Sequence, residues 1–278
     1  FQLHGPSVCA MALLVDDVPR ALARAQALLC PQWQERIGAG ERRIPALRAP
    51  DGTLVYLIGP ETGGHPFWQD DFHLLPGDDG GAGLLSIDHI VQAVPEGRMD
   101  SFVLFWRAVF ALAPQPQLET PDPFGLVRSR ALVSPDGAVR LALNASESRA
   151  TATGRFVSAY AGAGVHHIAL ATADIAATAL VLQARHAPLL PIPANYYDDL
   201  AARWPLENAD LATLQANALL YDQDSAGSFR HLYTDAFADR FYFEAVQREG
   251  GYGGFGAANA PVRAAAQARL HPAAAAPL

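Results

Sequence analysis

The feature that most constrains the fold is an internal repeat. Two Pro-Asp-Gly turns, beginning at Pro50 and Pro135, lie 85 residues apart (50 to 135), and short apolar runs of strand length flank each turn. Upstream of each turn, an apolar strand leads into a segment with helical spacing. The order strand–helix–strand–strand–strand recurs at about 1–60, 84–146 and 162–250. We therefore predict an α+β protein of repeated βαβββ modules.

These modules suggest how the chain is divided. One half-open sheet needs a second to close its core, and the second and third copies can close on each other. We expect 1–75 to be an unpaired module left from an N-terminal domain, 76–268 a domain of two modules, and 269–278 a flexible tail. Because the chain begins with Phe1, we expect a longer protein whose upstream part, or a homodimer partner, supplies the missing mate.

Composition excludes several classes of function. A net charge of −8 over 278 residues disfavours non-specific binding to nucleic acid or anionic membranes. No apolar run reaches the ~18–20 residues of a membrane span, and no signal-peptide pattern is present. Cys9 and Cys30, the only cysteines, lie in apolar segments, so we expect buried free thiols in a reducing compartment. The sequence thus predicts a cytoplasmic protein without nucleic-acid or membrane partners.

Three potential metal ligands each lie in an apolar strand. His89 and His167 are 78 residues apart (89 to 167), and Glu244 follows 77 residues later (167 to 244). An ionised carboxylate in such a run is costly to bury unless a cation or hydrogen-bond donors meet it. Two histidines and one carboxylate suit a facial metal triad, which leaves coordination positions open for a ligand.

Simpler explanations apply to each of these side chains taken singly. Either histidine could be an ordinary core or surface residue, and an alternating strand could point Glu244 to solvent. Asp88, next to His89, should point to the opposite face of its strand. We therefore expect Asp88 to be a hydrogen-bond partner or a surface group and not a ligand.

Several further motifs surround the three residues in a fixed order. Together they resemble the vicinal oxygen chelate (glyoxalase-like) superfamily, specifically its 4-hydroxyphenylpyruvate dioxygenase branch, over about 84–268. Segments 36–41 and 44–47 extend the likeness to the C-terminal region of two-part bacterial 3-dehydroshikimate dehydratases, in which a separate N-terminal barrel is credited with the dehydratase chemistry. The motifs are Asp88-His89-Ile90, Gly164-Val165-His166-His167-Ile168-Ala169-Leu170, Asn195-Tyr196-Tyr197-Asp198, the stretch 239–248 and Gly253-Gly254-Phe255-Gly256-Ala257-Ala258-Asn259.

The resemblance implies a site and a cofactor. His89, His167 and Glu244 would be the ligands of a divalent metal inside an open barrel formed by the last two modules. Fe(II) is the metal that the resemblance favours, and Mn, Co, Zn or Mg would also suit these ligand types. Ser129 and Asn144 stand at the positions of the family's pocket serine and asparagine, which implies a catalytic role for them.

Three other positions are predicted to contact the substrate. His166 and His231 stand where the family has glutamines, and Phe255 lies in the glycine-rich stretch 250–256. Exchanging amides for histidines would favour a more acidic or hydroxylated acid, because mismatched polar partners discriminate strongly. The alternatives are that the histidines are plain hydrogen-bonding residues at a pocket rim, and that Phe255 is core filler and not an apolar gate.

We predict a non-haem-iron-type dioxygenase, an oxidoreductase acting with O₂ on an aromatic or cyclic oxo or hydroxy acid. The alternative is a metal-binding module that no longer oxygenates and regulates or assembles a fused 3-dehydroshikimate dehydratase. A third possibility, a metal-dependent isomerase or lyase, needs no O₂. The retained triad with Ser129 and Asn144 supports the dioxygenase, whereas the exchanged glutamines and the odd module count support the second reading.

Overall fold

The computed structural model describes residues 1–34, 36–38, 41, 43–60, 72–73, 75, 77, 80–238 and 240–270. The predicted tail at 269–278 lies almost entirely outside this part. The helices are α1 (Val18–Ala27), α2 (Met99–Phe110), α3 (Ala152–Tyr160), α4 (Ile175–Ala184), α5 (Asn195–Arg203), α6 (Asn208–Ala216) and α7 (Ala260–Leu270). The strands are β1 (Ala10–Leu14), β2 (Gln32–Trp33), β3 (Ala46–Arg48), β4 (Leu54–Ile58), β5 (Leu84–Ala93), β6 (Ala113–Pro114), β7 (Leu118–Asp122), β8 (Gly125–Val133), β9 (Arg140–Ala145), β10 (Gly164–Thr172), β11 (Leu220–Gln223), β12 (Gly227–Tyr233) and β13 (Tyr242–Gly250).

Strand topology confirms the repeated βαβββ module. In the four-stranded sheet β1 runs parallel to β4, which continues antiparallel through β3 to β2. The nine-stranded sheet contains the same arrangement twice. There β5 runs parallel to β9 and β10 runs parallel to β13, and antiparallel strands follow each pair.

The two later modules join into one curled half-barrel. Their first strands, β5 and β10, pair antiparallel at the middle of the nine-stranded sheet. The strands predicted to carry the three metal ligands, β5, β10 and β13, are therefore immediate neighbours. This junction positions the site described below.

The starts of two helices agree with the sequence prediction, and the start of a third does not. The sequence offers Asp16 or Asp17 as the cap of α1 and Asp174 as the cap of α4, and the side chains of Asp17 and Asp174 accept hydrogen bonds from backbone N–H groups of these helices. The polar composition of 145–154 predicts a linker between the second and third modules, and this prediction is wrong at its end because α3 begins at Ala152. Thr151 caps that helix, and Gly154 lies so close to the preceding loop that a Cβ would meet the Ser148 oxygen at 2.1 Å.

The hydrophobic core is divided among the modules. Tyr196 and Tyr197 of α5 are buried in the core of the third module, so these two motif residues have a structural role. Phe102 and Trp106 of α2 share a core cluster with Val55 of β4, so the first module packs on the second. The predicted domain boundary near residue 75 falls where the structure describes only single residues, and it stays a prediction.

Two smaller expectations have mixed outcomes. Both cysteines are free thiols as predicted, but the prediction that they are buried is wrong: Cys9, which precedes β1, is exposed, and Cys30 is only partly buried. Over the described ranges, no helix has the length and apolar character needed to span a membrane.

Candidate metal centre

Strand register brings the three predicted ligands to one face of the half-barrel. Ala169 of β10 pairs with His89 on one side and with Glu244 on the other. Paired residues point to the same face, and so does His167, two residues before Ala169. Because the alanine in the middle is small and fully buried, the larger side chains on either side can converge above it.

The donor atoms of the three side chains converge on a common point. His89 Nε2 and His167 Nε2 each lie 3.3 Å from Glu244 Oε2, and all three residues are buried. One donor atom from each lies within 4.8 Å of the others, and in the described part of the chain no other His, Cys, Asp and Glu group meets this criterion. Glu244 Oε2 accepts no hydrogen bond there. A buried carboxylate oxygen of this kind fits a divalent cation, which would compensate its desolvation.

Hydrogen bonds on the far side of Glu244 fix its orientation. His231 Nδ1 donates to Glu244 Oε1 at 2.6 Å, and His231 Nε2 accepts from Asn259 Nδ2 at 3.0 Å. The Tyr196 hydroxyl donates to Asn259 Oδ1 at 3.0 Å. His231 and Asn259 are fully buried. The chain of bonds therefore sets the tautomer of His231 and leaves Glu244 Oε2 directed at His89 and His167.

A second chain of contacts runs from His89 to the loop that covers it. His89 Nδ1 lies 2.7 Å from Asp88 Oδ1, which confirms that Asp88 is a hydrogen-bond partner and not a ligand. Arg248 donates to both oxygens of Asp88, at 2.7 and 2.8 Å, and also to the Gly254 carbonyl at 2.7 Å. The ring of Phe255, on the same loop, meets the ring of His89 edge-on at 5.2 Å. Arg248 thus connects Asp88, the hydrogen-bond partner of His89, to the covering loop.

These contacts set the charge state of the carboxylates. Burial alone would raise the pKa of Glu244, but the close approach of His167, the hydrogen bond from His231 and the close approach of His89 hold it well below its usual range. Burial likewise opposes ionisation of Asp88, yet the Arg248 and His89 hydrogen bonds lower its pKa. Burial lowers the pKa of His167 to about 4, so this ring is neutral near pH 7. An ionised carboxylate and a neutral imidazole are the forms that bind metals.

A cavity of about 400 Å³ opens beside the triad. Ser129 and Asn144 lie opposite each other on β8 and β9, and the Ser129 hydroxyl donates to Asn144 Oδ1 at 2.6 Å. Both side chains line the cavity, and so does Phe255. The remaining lining includes the apolar side chains Val91, Leu118, Ala131 and Ala142 together with Gln115, Thr120, Asp222, Tyr233, Tyr252 and Arg263.

Two of the predicted substrate contacts lie outside this lining. His231 lies behind Glu244 and is bonded to its Oε1 atom. His166 is buried between Phe156 and Tyr242, with ring centroids 5.0 and 5.1 Å away. Contact of either histidine with a substrate therefore stays a prediction, and the geometry gives His231 a different role from the one assigned to it.

The sequence analysis assigned no role to Asn259 or Arg263. It included Arg248 only as part of a motif. Asn259 and Arg248 lie within segments that carried the family resemblance, so the signal was present. Arg263 stands in an alanine-rich helical segment, where an arginine is expected at the surface, and it gave no such signal.

The matches to known proteins cover most of this chain in the relatives below, but different fractions of those proteins. The Glyoxalase/Bleomycin resistance protein/Dioxygenase superfamily matches residues 86–204. The 3-dehydroshikimate dehydratase of Pseudomonas aeruginosa is 47% identical over 272 residues, which are 97% of this chain and 43% of that protein. The 4-hydroxyphenylpyruvate dioxygenase of Pseudomonas sp. (strain P.J. 874) is 31% identical over 265 residues, 92% of this chain and 74% of that protein.

Among solved structures, a xylose isomerase-like TIM barrel/4-hydroxyphenylpyruvate dioxygenase fusion protein matches with a TM-score of 0.82 and 44% identity. The match covers 97% of this chain and 43% of the fusion protein. This chain therefore spans less than half the length of the dehydratase and of the fusion protein, and about three-quarters of the dioxygenase.

Proposed function

The chain belongs to the vicinal oxygen chelate superfamily, in its 4-hydroxyphenylpyruvate dioxygenase branch, and on that premise we propose that it is a metal-dependent dioxygenase for a small aromatic or cyclic oxo or hydroxy acid. The observation that carries the proposal is the buried convergence of His89, His167 and Glu244 beside a cavity. Its 400 Å³ is within the range of small-molecule sites.

The residues present suit a divalent metal, and we propose Fe(II). Three protein donors on one face leave positions for a chelating acid and for O₂. Fe(II) held there would supply the redox chemistry that O₂ requires to react with an organic acid. His231 and Asp88 would fix the directions of the ligand side chains, as hydrogen-bond partners of metal ligands commonly do.

The cavity residues would orient the acid and exclude water. The Ser129 hydroxyl and the Asn144 amide both face the cavity. They would form hydrogen bonds with the oxygens of the acid and so orient its reacting group. The apolar side chains of the wall and Phe255 would cover the rest of the ligand and restrict access of water.

A second function is supported by the relatives that include a further domain. The P. aeruginosa relative is named a 3-dehydroshikimate dehydratase, and the solved relative is a fusion with a TIM barrel. The alternative proposal is that this chain is a metal-holding module that regulates or assembles such a fused dehydratase without consuming O₂. The fused barrel would then be its partner.

Oxygen uptake distinguishes these two functions. The apoprotein is loaded with Fe(II) under anaerobic conditions and mixed with air-saturated buffer and a panel of cyclic and aromatic acids. We expect uptake that depends on one class of acid and is absent in His167→Ala. Stoichiometric iron with no acid-dependent uptake would contradict the dioxygenase and favour the metal-holding module.

A further inference from the structure

A buried arginine forms part of the cavity wall. Arg263 of α7 is 9% exposed, and its side chain lines the cavity together with Ser129 and Asn144. A guanidinium group keeps its charge at all physiological pH values. Burying that charge is costly unless an anion or several acceptors meet it.

The side chains around Arg263 compensate the positive charge of its guanidinium group only in part. Arg263 Nη1 donates to Gln267 Oε1 at 2.6 Å, and the guanidinium carbon lies over the rings of Tyr233 and Tyr242 at 5.8 and 5.6 Å. These partners are a neutral amide and two aromatic faces. Within the described ranges, no carboxylate lies within ion-pair distance of Arg263.

Arg248 shows what a compensated charge looks like in the same centre. Its guanidinium group is bonded to both oxygens of Asp88, at 2.7 and 2.8 Å. Asp222, a carboxylate that also lines the cavity, is instead bonded by the Tyr252 hydroxyl at 2.6 Å. Arg248 therefore has its own anion, whereas Arg263 faces an open cavity.

We propose that Arg263 receives a carboxylate group of the ligand and thereby selects organic acids over neutral analogues. This inference rests on the proposed function, since it concerns the acid that the cavity would hold. A guanidinium group binds a carboxylate through two parallel N–H···O bonds, and such bonds are stronger in a desolvated site. Arg263 is thus a specificity residue of the cavity wall.

The competing explanation is purely structural. Arg263 would then only fasten α7 to Tyr233 and Tyr242, and its loss would weaken the binding of acids and of neutral analogues equally. A ratio of affinities separates the two explanations.

The test uses protein loaded anaerobically with Zn(II), so that no oxygen chemistry intervenes. Calorimetry gives the Kd of 3,4-dihydroxybenzoate, 2-hydroxybenzoate and phenylpyruvate, each beside its carboxamide. We expect the unsubstituted protein to prefer at least one acid by about 10- to 100-fold, the range for hydrogen bonds between charged groups. Arg263→Gln should reduce that preference to less than about twofold.

Two further variants keep the result interpretable. Arg269→Gln, an exposed position on the same helix, should keep the full acid preference. Arg263→Lys retains the charge without the planar fork, so it should give an intermediate ratio and serves if Arg263→Gln does not fold.

The proposal is overturned if the unsubstituted protein shows no acid preference with any pair, or if both Arg263 variants keep its preference. Because no step of the test consumes oxygen, a failed oxygen-uptake experiment with a retained acid preference would remove the dioxygenase and leave this inference standing. The reverse pattern would remove only this inference.

Discussion

The candidate metal centre is flanked by the second module on one side and the third module on the other. The two modules have the same strand topology, but their polar side chains differ in burial and in hydrogen bonding. On the third-module flank, His231 and Glu244 are fully buried and His231 uses both ring nitrogens in hydrogen bonds. On the second-module flank, Ser129 and Asn144 are half-buried, bond to each other and face the cavity. We infer that the closed flank holds a metal ligand in a fixed direction and that the open flank receives the substrate.

The difference lies in the side chains and not in the backbone. Both polar pairs stand on the last two long strands of their modules, β8 with β9 and β12 with β13, which pair antiparallel in each case. A repeated fold can thus assign a rigid task to one copy and a ligand-binding task to the other.

The largest expected effect of a change on the closed flank comes from His231→Leu. This substitution removes the hydrogen-bond donor to Glu244 Oε1 and fills its place with an apolar side chain of similar size. We expect metal affinity to fall about 10- to 100-fold, as is typical when a partner of a metal ligand is lost. Competition titration against a chelator measures this, and an unchanged metal affinity would show that the closed flank does not support the ligand.

A smaller effect is expected on the open flank. Ser129→Ala should weaken binding of the acid by about two- to tenfold, the cost of a typical lost hydrogen bond, and leave metal affinity unchanged. The same metal titration and a calorimetric titration with the acid provide the two readings. A loss of metal in Ser129→Ala would remove the distinction between the flanks.

Much of the fold was predictable because local signals agree with it. The repeat, the Asp17 and Asp174 caps and the strands carrying the triad follow from apolar periodicity and turn residues. Helix α3 did not, because Gly154 reads as a helix breaker although close packing requires a glycine there. The signal that could have found it is Thr151 as a cap before Phe156 and Tyr160, four residues apart on one face.

The site was predictable only in part for a different reason. The triad could be named because its residues stand in motifs that resemble a family. The roles of His231 and Arg263 depend on which strands and helices become neighbours. The bond from His231 to Glu244 requires the register of β12 on β13, and the burial of Arg263 requires α7 to close on the cavity. Neither this strand register nor this helix packing can be predicted from the residues adjacent to His231 or Arg263 in the sequence.

The most direct test of the metal centre is an anaerobic titration of the apoprotein with Fe(II), compared with His167→Ala. Removing one of three ligands should cost more than the ~10–100-fold of an outer partner. We expect the unsubstituted protein to bind one equivalent of metal and His167→Ala to show no saturation over the same range. Equal stoichiometry and affinity in the two proteins would contradict the assignment of His89, His167 and Glu244 as the metal ligands.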